Sequence, residues 1–343
     1  MRCGSVGLLR SMVRRACFTG GLMLAGLLGG SLLLSVPAFA LTPGDWLMRT
    51  HAASKQLNYR GTYVYSHNGR VESMRIIRKI EDGGGVRERL YSLNGAKREI
   101  IRDNGKIWCY LPDRKIGVHE YLQVSSRQFP NIVPQDIASL KRYYRLRVGK
   151  QVSRIANRSA SQLVILPRDR FRYGFDLWAD QDTGLLLRAS LVDFSTRLLD
   201  QYLFVSLTIG GDIPDRELQP MTARKDLKWY IGTSENMSQS AAASDWKVGM
   251  LPPGFTLRQR IQRITPLRQA RLEHLIYSDG LSATSVFIED ISPDDTRPLS
   301  GPKSMGAVNA YIRYVGNARI TVIGEVPERT VEMIAKSVRF GTS

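Results

Sequence analysis

An α+β fold in two domains is what this sequence predicts. A large curved sheet built from hairpins wraps around helices, and a smaller antiparallel sheet with one helix packed on it follows. Three observations carry that reading. Asparagine–glycine pairs recur at Asn68-Gly69, Asn94-Gly95 and Asn104-Gly105, and such pairs mark tight hairpins because both central positions of the turn take positive φ. Within 199–209, Leu203, Val205, Leu207 and Ile209 alternate with Tyr202, Phe204, Ser206 and Thr208. Apolar bulk then lies on both faces, as in a strand covered on both sides. After Pro327, the residues Val331, Ile334, Ala335 and Val338 recur at helical spacing.

Residues 1–40 read as a segment outside the fold. Arg2, Arg10, Arg14 and Arg15 precede the apolar run "GLMLAGLLGGSLLLSV", which closes on Ala38-Phe39-Ala40. A basic start, an apolar middle and a small-x-small end form a secretory signal peptide. An uncleaved anchor is the competing reading, but glycines interrupt the run. Residues 41–220 form the large domain. Thr42 caps a first helix with Pro43 at its first position and Asp45 three residues after the cap. Trp46, Thr50, Ala53 and Leu57 share one face of it. Strands follow, turning at the three Asn-Gly pairs, at Asp82-Gly83 and at Pro112-Asp113. A second helix fits "PQDIASLKRYYRL", with Val133, Ile137, Leu140 and Tyr144 on one stripe. Further strands fit 161–167, 171–178, 184–194 and 199–209. Residues 221–244 read as a linker, because "SENMSQSAAASD" is small, polar and without apolar periodicity. Residues 245–343 form the small domain, with strands in "GFTLRQRIQRI", "LEHLIYSDGLSATSVFIED" and "ARITVIGEV" and a tight turn at Ser278-Asp279-Gly280.

The chain carries 49 Lys+Arg against 31 Asp+Glu, a net charge of +18. The first 40 residues hold four arginines and no acid, leaving about +14 on the remainder. Export removes nucleic acid as the partner. Anionic lipid head groups, lipopolysaccharide phosphates or an acidic protein segment remain, beside a simply well-solvated surface. Cys109 is the one cysteine beyond residue 40, so no internal disulfide framework is expected. "KIWCYL" reads as a strand with Cys109 as a small buried residue. His51, His67, His119 and His274 are scattered, and no metal site or cofactor is expected. No phosphate loop, nucleophile elbow or Cys-x-x-Cys is present. The glycines of "EDGGG" belong to a hairpin turn. Asp290, Asp294 and Asp295 lack the ligand spacing of a calcium loop and read as a solvated acidic loop.

Four stretches taken together carry a resemblance. "LNYRGTYVYSHNGRVESMRIIRK", "NGAKREIIRDN", "LIYSDGLSATSVFIE" and "ARITVIGEVPERTVEMIAKSVRFG" resemble the RseB/MucB family of periplasmic regulators of the sigma-E (AlgU-type) envelope-stress response. The match runs from about Trp46 to Phe340 and is weakest in the linker and around 291–305. The resemblance implies a large domain similar to the lipoprotein carriers LolA and LolB, an unclosed β-barrel wrapped around helices. It implies no enzymatic activity. It implies a partner, the periplasmic segment of an RseA/MucA-like membrane anti-sigma factor, shielded from site-1 proteolysis until lipopolysaccharide or mislocalised lipoprotein displaces the regulator. The alternative is a periplasmic lipid or lipoprotein carrier with no signalling role, and either could form a homo-oligomer.

Two sites are expected from local chemistry. In the first strand Tyr59, Tyr63 and Tyr65 fall on one face, and a half-open barrel turns one face of each strand inward. Tyr63 and Tyr65 are candidates for an acyl-chain or peptide pocket, since the ring is apolar and the hydroxyl reaches water or a head group. Packing on the Trp46 helix as plain core is the competing reading. In "LRQRIQRITPLRQAR", Arg258, Arg260 and Arg263 are candidates to hold the anti-sigma segment or an anionic head group. Arginine grips carboxylate and phosphate through a planar fork. Strict alternation places Arg258 and Arg260 on one face, opposite Leu257 and Ile261. A solvated strand face is the other possibility.

Overall fold

The computed structural model describes residues 41–121, 129–231, 245–264, 271–292 and 299–341. The signal segment read at 1–40, together with Asp294 and Asp295, lies outside the described residues.

The first helix, α1 (Pro43–Gln56), starts as its sequence demands. Thr42 Oγ1 accepts the Asp45 N–H at 3.2 Å, and Asp45 Oδ2 accepts the Thr42 N–H at 3.0 Å. This reciprocal cap satisfies two donors that a helix start leaves open. Trp46, Leu47, Thr50 and Ala53 are buried on its inner face. The short α2 (Ile137–Tyr143) is capped by Asp136, whose carboxylate accepts the Ser139 N–H at 3.0 Å. Val133, Ile137, Leu140 and Tyr144 all fall in the core, but the helix is shorter than read, since Val133 precedes it and Tyr144 opens the next strand.

Around these helices curves a sheet of twelve strands: β1 (Tyr59–His67), β2 (Arg70–Ile80), β3 (Val86–Ser92), β4 (Glu99–Asp103), β5 (Lys106–Leu111), β6 (Ile116–Tyr121), β7 (Tyr144–Ile155), β8 (Arg158–Pro167), β9 (Gly174–Asp180), β10 (Leu186–Val192), β11 (Leu198–Ile209) and β12 (Lys228–Ile231). Their order is β12-β6-β5-β4-β3-β2-β1-β11-β10-β9-β8-β7. β7 and β12 are the two edges, so the barrel is unclosed. The β1–β2 and β4–β5 turns hold Asn68 and Gly69 at φ 45° and 72°, and Asn104 and Gly105 at 48° and 87°. These are the positive angles the Asn-Gly pairs predict. One inward row runs Gly61, Ile76, Leu90, Ile100, Cys109, Val118 across β1 to β6. Its first members are sealed by the helical core, while Ile100, Cys109 and Val118 are only half-buried. Cys109 therefore faces the hollow of the barrel and is not the fully buried residue the sequence suggests.

The second sheet contains β14 (Thr256–Ile264), β15 (Arg271–Ser278), β16 (Ala283–Asp290), β17 (Gly301–Met305), β18 (Val308–Val315) and β19 (Ala318–Gly324), with β13 (Trp246–Val248) preceding it. Helix α3 (Glu328–Ser337) and β20 (Val338–Phe340) end the described chain. The order is β14-β15-β16-β19-β18-β17, and β13 pairs with β20. Val331, Ile334, Ala335 and Val338 are buried against Val286, Ile320 and Val322. One helix on an antiparallel sheet is the expected small domain.

Two readings need correction. Residues 221–244 are not linker throughout. Lys228–Ile231 is β12, paired in parallel with Ile116–His119 of β6. Trp229 also lies where a Cβ on Gly117 would stand, 2.6 Å away, so the chain runs on along the barrel's outer face past residue 221. On β11, Phe204 is buried but Val205 is 52% exposed, so the strand is not covered on both sides along its length.

Candidate functional site: the groove between the two domains

A cavity of about 910 Å³ lies where α2 of the large domain meets the β15–β16 turn of the small one. Arg142, Tyr143 and Phe175 of the large domain line it together with Arg258, Ile276 and Glu325 of the small one. Gly254 lines the groove at φ +85°, and a Cβ there would lie 2.3 Å from the Tyr143 ring. Glycine is required on both counts.

The floor is a buried ionic network that ties the domains together. Arg172, just before β9, has no solvent exposure. Its Nη1 donates to Asp279 Oδ2 at 2.5 Å, and its Nη2 to Pro253 O at 2.7 Å. Nη2 also lies 2.9 Å from Asp169 Oδ2. The guanidinium packs over the rings of Tyr143, Tyr144 and Phe255 at 5.1, 5.5 and 5.3 Å. Tyr144 donates its hydroxyl to Asp279 Oδ2 at 2.8 Å. Burial, and then the Asp279 charge, push that hydroxyl well above the ordinary tyrosine range. Asp279 also accepts the Leu281 and Ser282 N–H groups through Oδ1 at 2.8 Å each. The turn read at Ser278-Asp279-Gly280 thus doubles as the anchor for the large domain's arginine. Beyond this latch, Thr330 Oγ1 donates to Phe171 O at 2.7 Å, and Asn309 Nδ2 donates to Tyr173 Oη at 3.0 Å.

The sequence-predicted residues distribute unevenly. Arg258 is exposed and lines the groove. Hydrogen bonds from Ser139, with a smaller contribution from Arg258, hold the Asp136 carboxyl below its usual range. Arg260 is half-buried, with Nε 3.4 Å from Glu273 Oε1, itself buried. Arg258 and Arg260 do not alternate as read. The register slips between Leu257 and Gln259, so Leu257 pairs with Tyr277 and Arg260 with Leu275. Leu257 and Arg260 therefore share a face, and Arg258 is the extra residue of a bulge, re-aimed toward the groove. Arg263 lies on β14, and its side chain is outside the described residues.

Tyr63 and Tyr65 do point into the barrel. Tyr63 is 5% exposed and is covered by Phe129, Phe204 and Tyr202, with ring centroids 5.3, 5.9 and 6.0 Å away. It belongs to the same cluster as Trp46 and Leu47. Tyr65 is half-buried, stacked between His67 and Tyr202 at 4.6 and 4.3 Å. It donates its hydroxyl to Asp200 at 2.9 Å. Ile100, Cys109 and Val118 form a half-buried apolar row on the inner face of the sheet, which sequence reasoning missed. Period-two reading of "EIIRD" and "KIWCYL" places Ile100 and Cys109 inward, but only the ladder aligns them with Val118 in one half-buried row.

A hollow sheet with an apolar wall, a second domain latched beside it and a charged groove between them define a two-domain binding protein. Among the described residues no group of three metal-ligating side chains occurs, and no helix is long and apolar enough to cross a membrane. Residues 42–222 match the MucB/RseB N-terminal domain and residues 240–339 the MucB/RseB C-terminal domain. The chain belongs to the MucB/RseB family, whose members are named as sigma-factor regulatory proteins. It is 34% identical over 311 residues to the sigma factor AlgU regulatory protein MucB of Pseudomonas aeruginosa, covering 90% of this chain and 94% of that one. It is 29% identical over 325 residues to the sigma-E factor regulatory protein RseB of Escherichia coli K12, covering 92% and 97%. Among solved structures, MucB in complex with MucA(peri) aligns with TM-score 0.67 at 30% identity, covering 88% of this chain and 100% of that one. MucB alone aligns with TM-score 0.62 at 32% identity, covering 87% and 98%.

Proposed function

We propose that this protein is exported and works in the periplasm as a non-enzymatic negative regulator of a sigma-E type factor. It binds the periplasmic segment of an RseA/MucA-like membrane anti-sigma factor, shields that segment from site-1 proteolysis, and is displaced by lipopolysaccharide or mislocalised lipoprotein. The observation that carries this reading is the alignment, along nearly the whole of both chains, with MucB bound to MucA(peri). The groove offers a site of suitable kind. At about 910 Å³ it is large enough for side chains of a bound segment, and Arg142 and Arg258 both line it. The half-buried wall of Ile100, Cys109 and Val118 is the place for acyl chains, with Tyr65 at the rim. Carriage of lipid without signalling is the second reading, and that apolar wall favours it.

The deciding experiment is calorimetric. Residues 41–343 are titrated with the host's periplasmic anti-sigma segment, and lipopolysaccharide or an acylated lipoprotein fragment is then added. Tight binding abolished by the lipid supports the regulator. Binding of lipid with none of the segment leaves the carrier.

A further inference from the structure

We infer that the free edge of the large sheet, β7 with the end of α2 beside it, is a docking surface for an anionic phospholipid bilayer. The inference takes up basic charge that the proposed function leaves unused, and it does not rest on that function.

Much of the excess charge sits in one stretch. From Ile137 to Arg168 the sequence holds eight Lys and Arg and no Asp or Glu. That stretch is α2, β7 and β8. One of the eight, Arg158, is taken by Asp180. Arg145, Arg147, Lys150 and Arg154 are exposed along β7, and Lys141 and Arg168 are exposed at its start. These last two stand side by side. The Arg168 N–H donates to Tyr143 O at 2.9 Å, and its Nε donates to Lys141 O at 3.2 Å. Acids on neighbouring elements have other partners. Asp176 of β9 pairs with Arg188 at 3.0 Å, and Asp169 in the loop before it pairs with the buried Arg172 at 2.9 Å. Lys141 Nζ approaches the start of α1, 3.8 Å from where a Cβ on Gly44 would stand, but Asp45 there is held in the Thr42 cap. A field of one sign draws in a surface of the other.

The shape of the edge favours a planar partner over a paired strand. The register of β7 against β8 jumps from Val148–Leu163 to Val152–Ser161, so four steps on β7 oppose two on β8. Such a bulge interrupts the row of edge N–H and C=O groups that an incoming strand needs, and like charges along the strand act the same way. The edge presents instead a line of long cations with apolar side chains among them. Val148 and Val152 are 36% and 62% exposed. The pairing puts Arg145 and Arg147 on one face of the sheet and the two valines on the other, so both sets flank the edge. At 12 residues the strand is about 40 Å long, an extended line rather than a pocket. Side chains of this kind hold their charge at lipid head groups while their stems and the valines meet the interface.

The test uses residues 41–343 without an anti-sigma segment, so its failure is distinct from failure of the proposed function. Co-sedimentation is measured with mixed phosphatidylcholine–phosphatidylglycerol vesicles and with phosphatidylcholine vesicles alone. The native chain is expected to bind the mixed vesicles, to ignore the neutral ones and to let go at high salt. Each cation near an anionic surface contributes about fivefold in affinity, so Arg145→Gln/Arg147→Gln/Lys150→Gln should lose about a hundredfold. A control, Lys97→Gln/Arg114→Gln/Lys225→Gln, removes the same charge from exposed positions elsewhere and should lose less than about tenfold. All six side chains are exposed, so both variants keep the fold, which circular dichroism checks. Hydrogen exchange at 144–155 should slow when mixed vesicles are added to the native chain. No binding to the mixed vesicles, equal losses in the two variants, or unchanged exchange at 144–155 would each overturn the docking surface. So would capture of a glutamate-rich peptide or of lipopolysaccharide through Arg145, Arg147 and Lys150 with the phospholipid vesicles ignored, which would assign the edge to a protein or to a glycolipid.

Discussion

Arg172→Met is the sharpest probe of how the domains are held. The guanidinium is wholly buried, and the substitution keeps much of its apolar stem while removing the fork. Asp279 is then left as a buried carboxylate accepting only from the Tyr144 hydroxyl and the Leu281 and Ser282 N–H groups. Breaking a buried pair from one side costs about 3–5 kcal/mol, because the remaining charge keeps its desolvation penalty. Asp169 softens nothing here, since at 25% side-chain exposure it can turn to water. Asp279→Asn removes the other charge and costs a similar amount, because Arg172 then keeps Asp169 alone. The double variant should cost clearly less than the two singles together, with a coupling of about 2 kcal/mol or more. Urea unfolding, read by tryptophan fluorescence and by hydrogen exchange, supplies the numbers. Because the bond spans the domains, the loss should appear as earlier opening of residues 278–283 and 253–255, ahead of global unfolding. Single variants within about 1 kcal/mol of native, or strict additivity, would refute the latch as the main tie.

Other expectations follow from particular contacts. Charge reversal at Arg258 should weaken binding of the anti-sigma segment by at least about tenfold by calorimetry. Reversal at Arg260 should instead cost folding stability, because Arg260 answers the buried Glu273. Ile334→Ala, at a fully buried position of α3, should destabilise the small domain by about 2–5 kcal/mol in chemical denaturation. Asp180 is held below the usual carboxylate range; its burial acts upward but is outweighed by Arg158 and the Thr183 N–H and hydroxyl. Its stabilisation is therefore present above the ordinary carboxylate value and lost as pH falls through the depressed one. Asp180→Asn should be less stable than native at neutral pH, and the gap should close in strong acid.

What was legible in the sequence was local. The Thr42 cap, the Asn-Gly turns at 68–69 and 104–105 and the α3 stripe each depend on residues within a few positions of one another and stand as read, whereas Asn94 does not take the positive φ read for the pair at 94–95. β7 escaped because "YRLRVGKQVSRI" is the charged edge of the sheet, with Arg145, Arg147, Lys150 and Arg154 exposed. Charges of this kind protect an edge from pairing with another chain, and they also hide its period of two. β12 escaped because its partner β6 is about a hundred residues earlier and the pairing is parallel. The β17–β18 hairpin had a weak marker in Gly306, at φ 65°, which lone-glycine reading does not distinguish from an ordinary loop. At the site, the inward tyrosines were readable from alternation, but not the Phe129 ring that covers Tyr63. The Arg258 bulge and the pairing of Arg172 with Asp279 across 107 positions are products of tertiary contact alone.

The two ends of the domain seam differ in kind, and that difference bears on release. At one end Arg172 and Asp279 are opposite charges, buried and fully hydrogen-bonded. At the other, the β17–β18 turn meets the β1–β2 hairpin at Gly306 and Asn68, Ala307 is buried with Tyr173 and Leu191, and Asn309 donates to Tyr173. A partner gripped by both domains gains effective concentration from their docking, so the stronger the seam, the tighter the grip. A releasing ligand must prefer the opened arrangement, and reversing a 99:1 population takes about 5.5 kcal/mol of differential affinity. Breaking the buried latch would consume most of that. Opening from the β17–β18 end asks for less, because small-residue packing and one neutral hydrogen bond hold it. The seam should therefore swing about the Arg172–Asp279 anchor, with the β17–β18 turn lifting from the β1–β2 hairpin.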